Sequence, residues 1–415
     1  MTYCIIGNSV AAVGAVEAIR TNDEKTPITI ISNEPYHVYS RPLISYFLSG
    51  KVHEDKMYYR DKDFYTRNRV EILLGRNVTG VEPDKKAVIL ENNTKIFYDK
   101  LLIATGGKLI VPSVEGLDKE GVFSFATWDD AKKIACTVDK VKKAIVIGGG
   151  LIGLKAAEAL KERGITVTVI ELAERILSPI MDEIASGIVE KHLKTSGVNV
   201  ITKNTVKEID GKNSVKSVVL KDGQKVDCDI VITAIGVKPR LDVIRNTGIT
   251  VNHGIVVNDQ METSVQGIFA AGDVAEGYDS IYRTNRVIPI WPNAYRQGYI
   301  AGSNMADLRI SYSGGININS IELFNLPTIT VGLVNSPNGG YEVVKKFDGE
   351  KKYRKVILKN NVLVGAIFIG CIDRAGILTG LIKDQVNIEK FKEEILEANF
   401  GYVSFPKELR MEKMK

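Results

Sequence analysis

Two groups of residues in this chain have types and spacings that could do chemistry. In "KAIVIGGGLIGLKAAEALKERGITVTVIE", residues 143–171, Gly148, Gly150 and Gly153 fill the pattern G-x-G-x-x-G and Glu171 closes the segment. Glycines so spaced turn the chain tightly, let a pyrophosphate approach bare backbone, and let a helix pack close to a strand. The turn residues Gly148, Gly150, Leu151, Ile152 and Gly153 are therefore expected to line a dinucleotide phosphate. A carboxylate at Glu171 can accept hydrogen bonds from both ribose hydroxyls and would repel a 2′-phosphate, which favours NAD over NADP. The second group is a weaker version of the first. In "TYCIIGNSVAAVGAVEAIR", Gly7, Ser9 and Ala12 stand at the three glycine positions, and Glu34 follows the strand-like "ITIIS". Ser and Ala are small enough for close packing, although Ser at the middle position narrows the room for a phosphate.

Each group needs a strand, a turn and a helix to position it. Ala144 to Ile147 is a short apolar, β-branched run suited to a strand buried on both faces of a parallel sheet. Ile152, Ala156, Ala159 and Leu160 recur at helical spacing, so a helix starts at the glycines and aims its positive end at the phosphates. Gly164 should stop that helix, and "ITVTVIE" should form the next strand. The first group repeats the order: "YCII", a helix through Val16 and Ile19, then a strand after Pro27. Strand, small residues, helix, strand and acid in sequence make a stronger signal than the glycines alone.

Composition restricts the remaining possibilities. The chain has 415 residues, 44% hydrophobic and 25% charged, with a formal net charge of +5. That length suits two or three domains of a soluble globular protein. The mild positive charge is compatible with an acidic partner, but no clustered Lys/Arg tract with interleaved aromatics suggests nucleic acid. Cys4, Cys136, Cys228 and Cys371 include no C-x-x-C pair, and His37, His53, His192 and His253 are dispersed. Neither a disulfide framework nor a metal centre is expected. No apolar run reaches the roughly 18 residues of a membrane span. "YCIIG" reads as a strand rather than a signal peptide, so a cytoplasmic setting is expected.

Three further segments complete a set of five motifs. "YDKLLIATGG" is an apolar strand ending in Ala104, Thr105 and Gly106; "GIFAAGDVAE" is a strand ending in Gly272 and Asp273; and "WPNAYRQGYIAGSNMAD" starts a helix at Pro292 and Asn293. In this order the motifs resemble the FAD/NAD(P) oxidoreductases of the pyridine nucleotide-disulfide reductase superfamily, in its rubredoxin reductase, ferredoxin reductase and nitrite reductase-like branch. The resemblance implies an α/β fold with two Rossmann-like domains, FAD-binding from 1 to 112 and 240 to 312 and NAD-binding from 113 to 239. A small α/β domain from 313 to 415 completes it. It further implies that Gly7, Ser9 and Ala12 cradle the FAD pyrophosphate and Glu34 its adenosine ribose. Arg41 and Pro42 would lie beside the cofactor, Val78 at the adenine, and Ala104, Thr105 and Gly106 over the FAD. Asp273, after Gly272, would bind the ribityl chain, and the helix from Asn293 would direct its dipole at the flavin's pyrimidine oxygen. Gly236, in "AIGVKP", would lie near the nicotinamide ribose. Beyond residue 312, "YRKVILKNNVLVGAIFIG" reads independently as a hairpin turning at Asn360-Asn361, and "NIEKFKEEILEANF" as an amphipathic closing helix.

The electron acceptor is the next question. Disulfide-reducing relatives carry a C-x-x-x-x-C pair after the first fold, and related oxidases a single cysteine; here the corresponding "YSRPLISYFLSG" has none. Without that thiolate, dithiol and sulfenic-acid chemistry are not expected. The expected activity is hydride exchange between NAD(H) and FAD, and single-electron exchange with a small iron–sulfur protein. That protein would be a rubredoxin or ferredoxin, and such carriers are usually acidic. An NADH oxidase or reductase of a small acceptor such as oxygen, and a non-catalytic FAD/NAD-binding structural or sensing subunit, stand as alternatives, and a homodimer or a complex with a redox enzyme stays open. In ferredoxin reductase relatives a Lys beside the flavin pairs with a Glu; the matching positions here hold Tyr46 and Lys155. Either Lys155 supplies positive charge near the flavin with Tyr46 beside it, or it sits on the helix's polar face with Glu158 and Glu162. Cys371 is expected to be a buried structural thiol.

Overall fold

The computed structural model describes residues 1–336, 339–397 and 399–413. The chain forms two compact units, Met1–Phe47 with Val52–Ile110 and Val237–Ile316, and Leu48–Lys51 with Val111–Gly236 and Asn317–Lys415.

The first unit is built on a five-stranded parallel sheet in the order Ile268–Ala270, Lys100–Ile103, Tyr3–Ile6, Ile28–Ile31, Val70–Leu73. These runs are short and apolar because both faces are covered, and Ile5, Ile30 and Leu102 are at most 1% exposed. The helices Val10–Asn22 and Trp291–Met305 pack together on the sheet through small residues. A Cβ on Gly298 would lie 2.0 Å from the Ala11 carbonyl oxygen, and one on Gly302 would lie 2.4 Å from that of Ala15, so only glycine permits this approach. A further three-stranded sheet, Ile255–Val256, Ala275–Asp279 and Thr284–Arg286, ends in the hairpin that leads into the Trp291 helix.

The second unit repeats the plan. Its parallel sheet runs Val198–Ile201, Thr166–Ile170, Lys143–Ile147, Ile230–Thr233, Val122–Ser124, with helices Leu151–Glu162 and Glu183–Thr195 between its strands in sequence. Arg163 caps the Leu151 helix and Gly164 follows at φ +83°, the stop its sequence calls for. The same unit contains a five-stranded antiparallel sheet, Ile318–Leu323, Leu326–Gly332, Val362–Ile369, Tyr353–Lys359, Glu342–Phe347. Asn360 and Asn361, both at positive φ, make the two-residue turn read from the sequence.

One expectation fails. Over its described residues "NIEKFKEEILEANF" does not form an amphipathic helix; Glu389–Glu394 is a 3-10 segment broken at Phe391, whose φ is −141°. The break brings Phe391 within 5.1 Å of Phe405 and 6.1 Å of Phe400, ring centre to ring centre. Burying three aromatic rings together outweighs continuing a short helix. Among the described residues, no helix is long and apolar enough to cross a membrane.

Candidate functional site

The three glycines of the second fingerprint differ in what requires them. Gly148 sits at φ +112°, and a Cβ there would lie 2.4 Å from the Ala234 carbonyl oxygen. At Gly153 a Cβ would meet the Gly148 carbonyl oxygen at 2.0 Å. Protein packing therefore demands the first and third. Gly150, the N-cap of the Leu151–Glu162 helix, would meet nothing within 4 Å and has an ordinary φ of −81°. Among the described residues nothing requires a glycine there, but a group approaching from outside would. No acid occupies the helix's first turn and no side chain caps it, so its N–H groups and dipole remain available to a phosphate. The residues present fit a dinucleotide, with Leu151 and Ile152 forming the helix's first turn.

Glu171 is fixed by two backbone donors. Gly149 N–H donates to its Oε2 at 2.6 Å and Ala173 N–H to its Oε1 at 2.7 Å. Each carboxylate oxygen retains a lone pair for a hydroxyl donor. The sequence reading did not assign a role to the backbone N–H groups of Gly149 and Ala173.

The first unit carries the weaker fingerprint with the same logic. Gly7 is at φ +112°, where a Cβ would lie 2.1 Å from the Ala104 carbonyl oxygen, and Ala12 is fully buried. Ser9 is the N-cap of the Val10–Asn22 helix, but its hydroxyl makes no capping bond and the first turn holds no acid. Glu34 accepts from Tyr39 Oη at 2.6 Å and pairs with Arg41. Pro42 sets the short 3-10 turn Arg41–Leu43, and Val78 is buried in the strand Val78–Glu82. Burial raises the Asp273 carboxyl above the usual carboxylate range, while Arg41 pulls it back. Burial alone would lower the Arg41 pKa, but Tyr39, Glu34 and Asp273 together raise it. Arg41 is thus the cation facing two of the predicted FAD-site acids. Thr105 Oγ1 donates to the Arg240 carbonyl, and Gly106, Gly236 and Gly272 all sit at positive φ.

Several polar residues that the sequence reading passed over lock these parts. Asn8 donates to the Tyr36 carbonyl and accepts from Tyr65 Oη at 2.7 Å, and Tyr65 in turn accepts from Val38 N–H. Gln297, 2% exposed, accepts from Gly272 N–H. Tyr312 donates to the buried Asn293, one residue beyond Pro292 at the helix start. Asn8 is half-buried and the others are buried, and the only sequence signal of each is its proximity to a motif.

Lys155 and Tyr46 belong to different units. Tyr46 lies in the short helix Ile44–Leu48, and its carbonyl accepts from Val52 N–H. Lys155 forms an ion pair with Glu158 and donates to the Glu322 carbonyl at 3.2 Å. Glu158 is 6% exposed and also accepts from Phe324 N–H at 2.6 Å, while His192 Nε2 donates to the Phe324 carbonyl at 3.0 Å. The partnership with Glu158 matches the second sequence reading, but this face of the helix meets the C-terminal sheet rather than water. Glu162 pairs with Lys51 at 2.5 Å.

The profile of the pyridine nucleotide-disulphide oxidoreductases matches residues 1–298, and that of the rubredoxin NAD+ reductase C-terminal domain matches 318–386. The chain belongs to the pyridine nucleotide-disulphide oxidoreductase family. It is 30% identical over 398 residues to the NADH-dependent phenylglyoxylate dehydrogenase subunit epsilon of Aromatoleum evansii, covering 95% of this chain and 94% of that one. It is also 30% identical to the nitrite reductase [NAD(P)H] of Bacillus subtilis, where the match spans 95% of this chain but only 48% of the relative. The solved NADH:rubredoxin oxidoreductase from Clostridium acetobutylicum superposes with a TM-score of 0.76 at 28% identity, over 96% of this chain and 98% of that one.

Members of this family use FAD and NAD(H), and the chain is an NAD(H)-dependent electron-transfer oxidoreductase. The oxidoreductase has no cysteine between Tyr39 and Gly50. Burial pushes the Cys4 and Cys228 thiols up to about 12, which keeps both protonated and unreactive. Cys371 departs from expectation: it is half-buried rather than buried, and its Sγ accepts from Arg354 Nη2 at 2.7 Å. It sits just past the end of the strand Val362–Ile369, where the chain leaves the sheet and cover is incomplete.

Proposed function

We propose that this oxidoreductase exchanges hydride between NAD(H) and FAD and single electrons between FAD and a small iron–sulfur carrier, a rubredoxin or a ferredoxin. The observation that carries the reading is the cysteine-free segment from Tyr39 to Gly50, which leaves no thiol to receive electrons where disulfide-reducing members have one. The match of residues 318–386 to the rubredoxin reductase C-terminal domain supports it.

FAD, when bound, supplies the conversion between a hydride and single electrons. The chain's own residues hold, orient and neutralise. In this reading residues 1–112 and 240–312 bind FAD, 113–239 bind NAD(H), and 313–415 form the third domain. Gly7, Ser9 and Ala12 admit the FAD pyrophosphate, Glu34 receives a ribose hydroxyl, and Arg41 offsets the negative charge that Asp273 and the phosphates bring together. The helix from Asn293 offers its N-terminal dipole to the flavin ring. Gly148, Gly150 and Gly153 admit the NAD(H) pyrophosphate, and the doubly anchored Glu171 selects the unphosphorylated ribose. Lys155 we assign to positioning, since Glu158 and Glu322 already engage its ammonium group.

A second reading rests on the near full-length match to a dehydrogenase subunit: the electron partner is a fixed companion in a larger redox complex rather than a diffusing carrier. Stopped-flow mixing of the isolated chain tests the first. Rapid flavin bleaching by NADH, followed by reoxidation by rubredoxin or ferredoxin much faster than by air, supports it. Fast oxidation by air alone supports an NADH oxidase, and absence of bleaching supports a sensing subunit.

A further inference from the structure

Residues 280–306 contain Arg283, Arg286 and Arg296 and no carboxylate. Their first part is the hairpin joining Ala275–Asp279 to Thr284–Arg286, at the edge of its three-stranded sheet. The hairpin is rigid at its base. Asp279, 1% exposed, accepts from Ile281 N–H at 2.9 Å and Tyr282 N–H at 3.0 Å, and it pairs with Arg286 at 3.4 Å. Ser280 N–H donates to the Gly315 carbonyl, and Gly315 N–H donates back to that of Tyr278.

What this frame displays is a cationic and aromatic surface. Tyr278 is 39% exposed and Tyr282 45% exposed. The Arg286 guanidinium stacks on the Tyr282 ring at 3.9 Å. Arg283, at the tip in a left-handed conformation (φ 53°), is exposed. Arg286 neutralises Asp279, and the exposed Arg283 makes no ion pair among the described residues. On the same unit Arg296, in the helix that follows, reaches Ser313 and the Gly314 carbonyl. A tyrosine–arginine surface with no exposed acid of its own, held by a fixed turn, is suited to a negatively charged protein: arginine and tyrosine are the anchors that interfaces favour, and preorganisation lowers the cost of docking.

We infer that the hairpin 279–286 is the docking surface for the acidic iron–sulfur carrier. The inference rests on the proposed function and adds the place of contact. Arg283 steers the carrier electrostatically, and Tyr282 stacked under Arg286 provides the contact face.

The test uses the FAD-loaded enzyme, reduced with NADH under anaerobic conditions and mixed with an acidic rubredoxin or an acidic [2Fe–2S] ferredoxin over a range of salt. Arg283→Glu is expected to lower the second-order rate of carrier reduction at least tenfold at low salt and to flatten its salt dependence. Flavin bleaching by NADH and reduction of ferricyanide should be unchanged, and Arg283→Lys should retain most of the rate. Rapid carrier reduction by the wild type with the same rate and salt dependence in Arg283→Glu would overturn the docking assignment alone. Failure of the wild type to reduce either carrier would overturn the parent reading, and the docking surface with it.

Discussion

Lys155 and Glu158, one turn apart on the second fingerprint helix, form an ion pair that faces the C-terminal sheet, and Glu158 also accepts from Phe324 N–H at 2.6 Å. The lysine that stands where the resemblance calls for a Glu is thus tied to a turn of the C-terminal sheet. Lys155→Ala should remove one partner of a largely buried carboxylate and destabilise the protein by about 1–3 kcal/mol. Flavin bleaching by NADH should stay within threefold of wild type. Thermal melting and stopped-flow reduction together decide the point: an unchanged melting temperature with bleaching slowed tenfold would assign Lys155 to the flavin instead.

Glu171 is expected to set nucleotide choice. Glu171→Ala removes a carboxylate already oriented by Gly149 and Ala173, at a cost of about 1.5–3 kcal/mol in NADH binding. Steady-state kinetics should show KM for NADH rising at least tenfold while kcat/KM for NADPH holds or rises. An unchanged NADH to NADPH preference would contradict this.

Asp182 and Lys355 make a second buried pair, at 2.8 Å, and Tyr353 Oη and Ala185 N–H also donate to Asp182. Burial works against the charge on Asp182, but these partners hold its pKa below the ordinary carboxylate range. The resulting stabilisation is complete above the unfolded value of about 3.9 and is lost as pH falls through the lower folded value. Asp182→Asn should cost about 3–5 kcal/mol at pH 7, because Lys355 is left buried and unpaired. Urea melts at pH 7 and pH 3 should show that difference shrinking at the lower pH; an equal difference at both would refute the assignment.

Gly298→Ala should force apart the Val10–Asn22 and Trp291–Met305 helices, since its Cβ would lie 2.0 Å from the Ala11 carbonyl oxygen. Overpacking of this kind costs about 1–3 kcal/mol. Because both helices start at predicted FAD contacts, the flavin content of purified protein is the direct readout, and it should fall.

Much of this was legible in the sequence. Apolar runs such as Ala144–Ile147 gave the parallel strands, because a strand covered on both faces has no use for polar residues, and Asn360-Asn361 gave the hairpin turn. The closing helix was misread because helical spacing around Phe391 could not register the pull of Phe400 and Phe405. Of the proposed site, glycine spacing and strand-end acids were visible because backbone geometry dictates them locally. Asn8, Tyr65, Gln297 and Tyr312 were not, since a polar side chain that bonds across the fold leaves no periodicity behind. The same limit hid the C-terminal partners of Lys155, because Glu322 and Phe324 lie more than 160 residues further along the chain.

The central claim is that electrons leave this enzyme singly, to an iron–sulfur carrier. Its most direct test is anaerobic stopped-flow reoxidation of the NADH-reduced enzyme by rubredoxin or ferredoxin, set against reoxidation in air-saturated buffer. The account predicts reoxidation by at least one carrier a hundredfold or more faster than by air. Reoxidation by both carriers no faster than by air would contradict it.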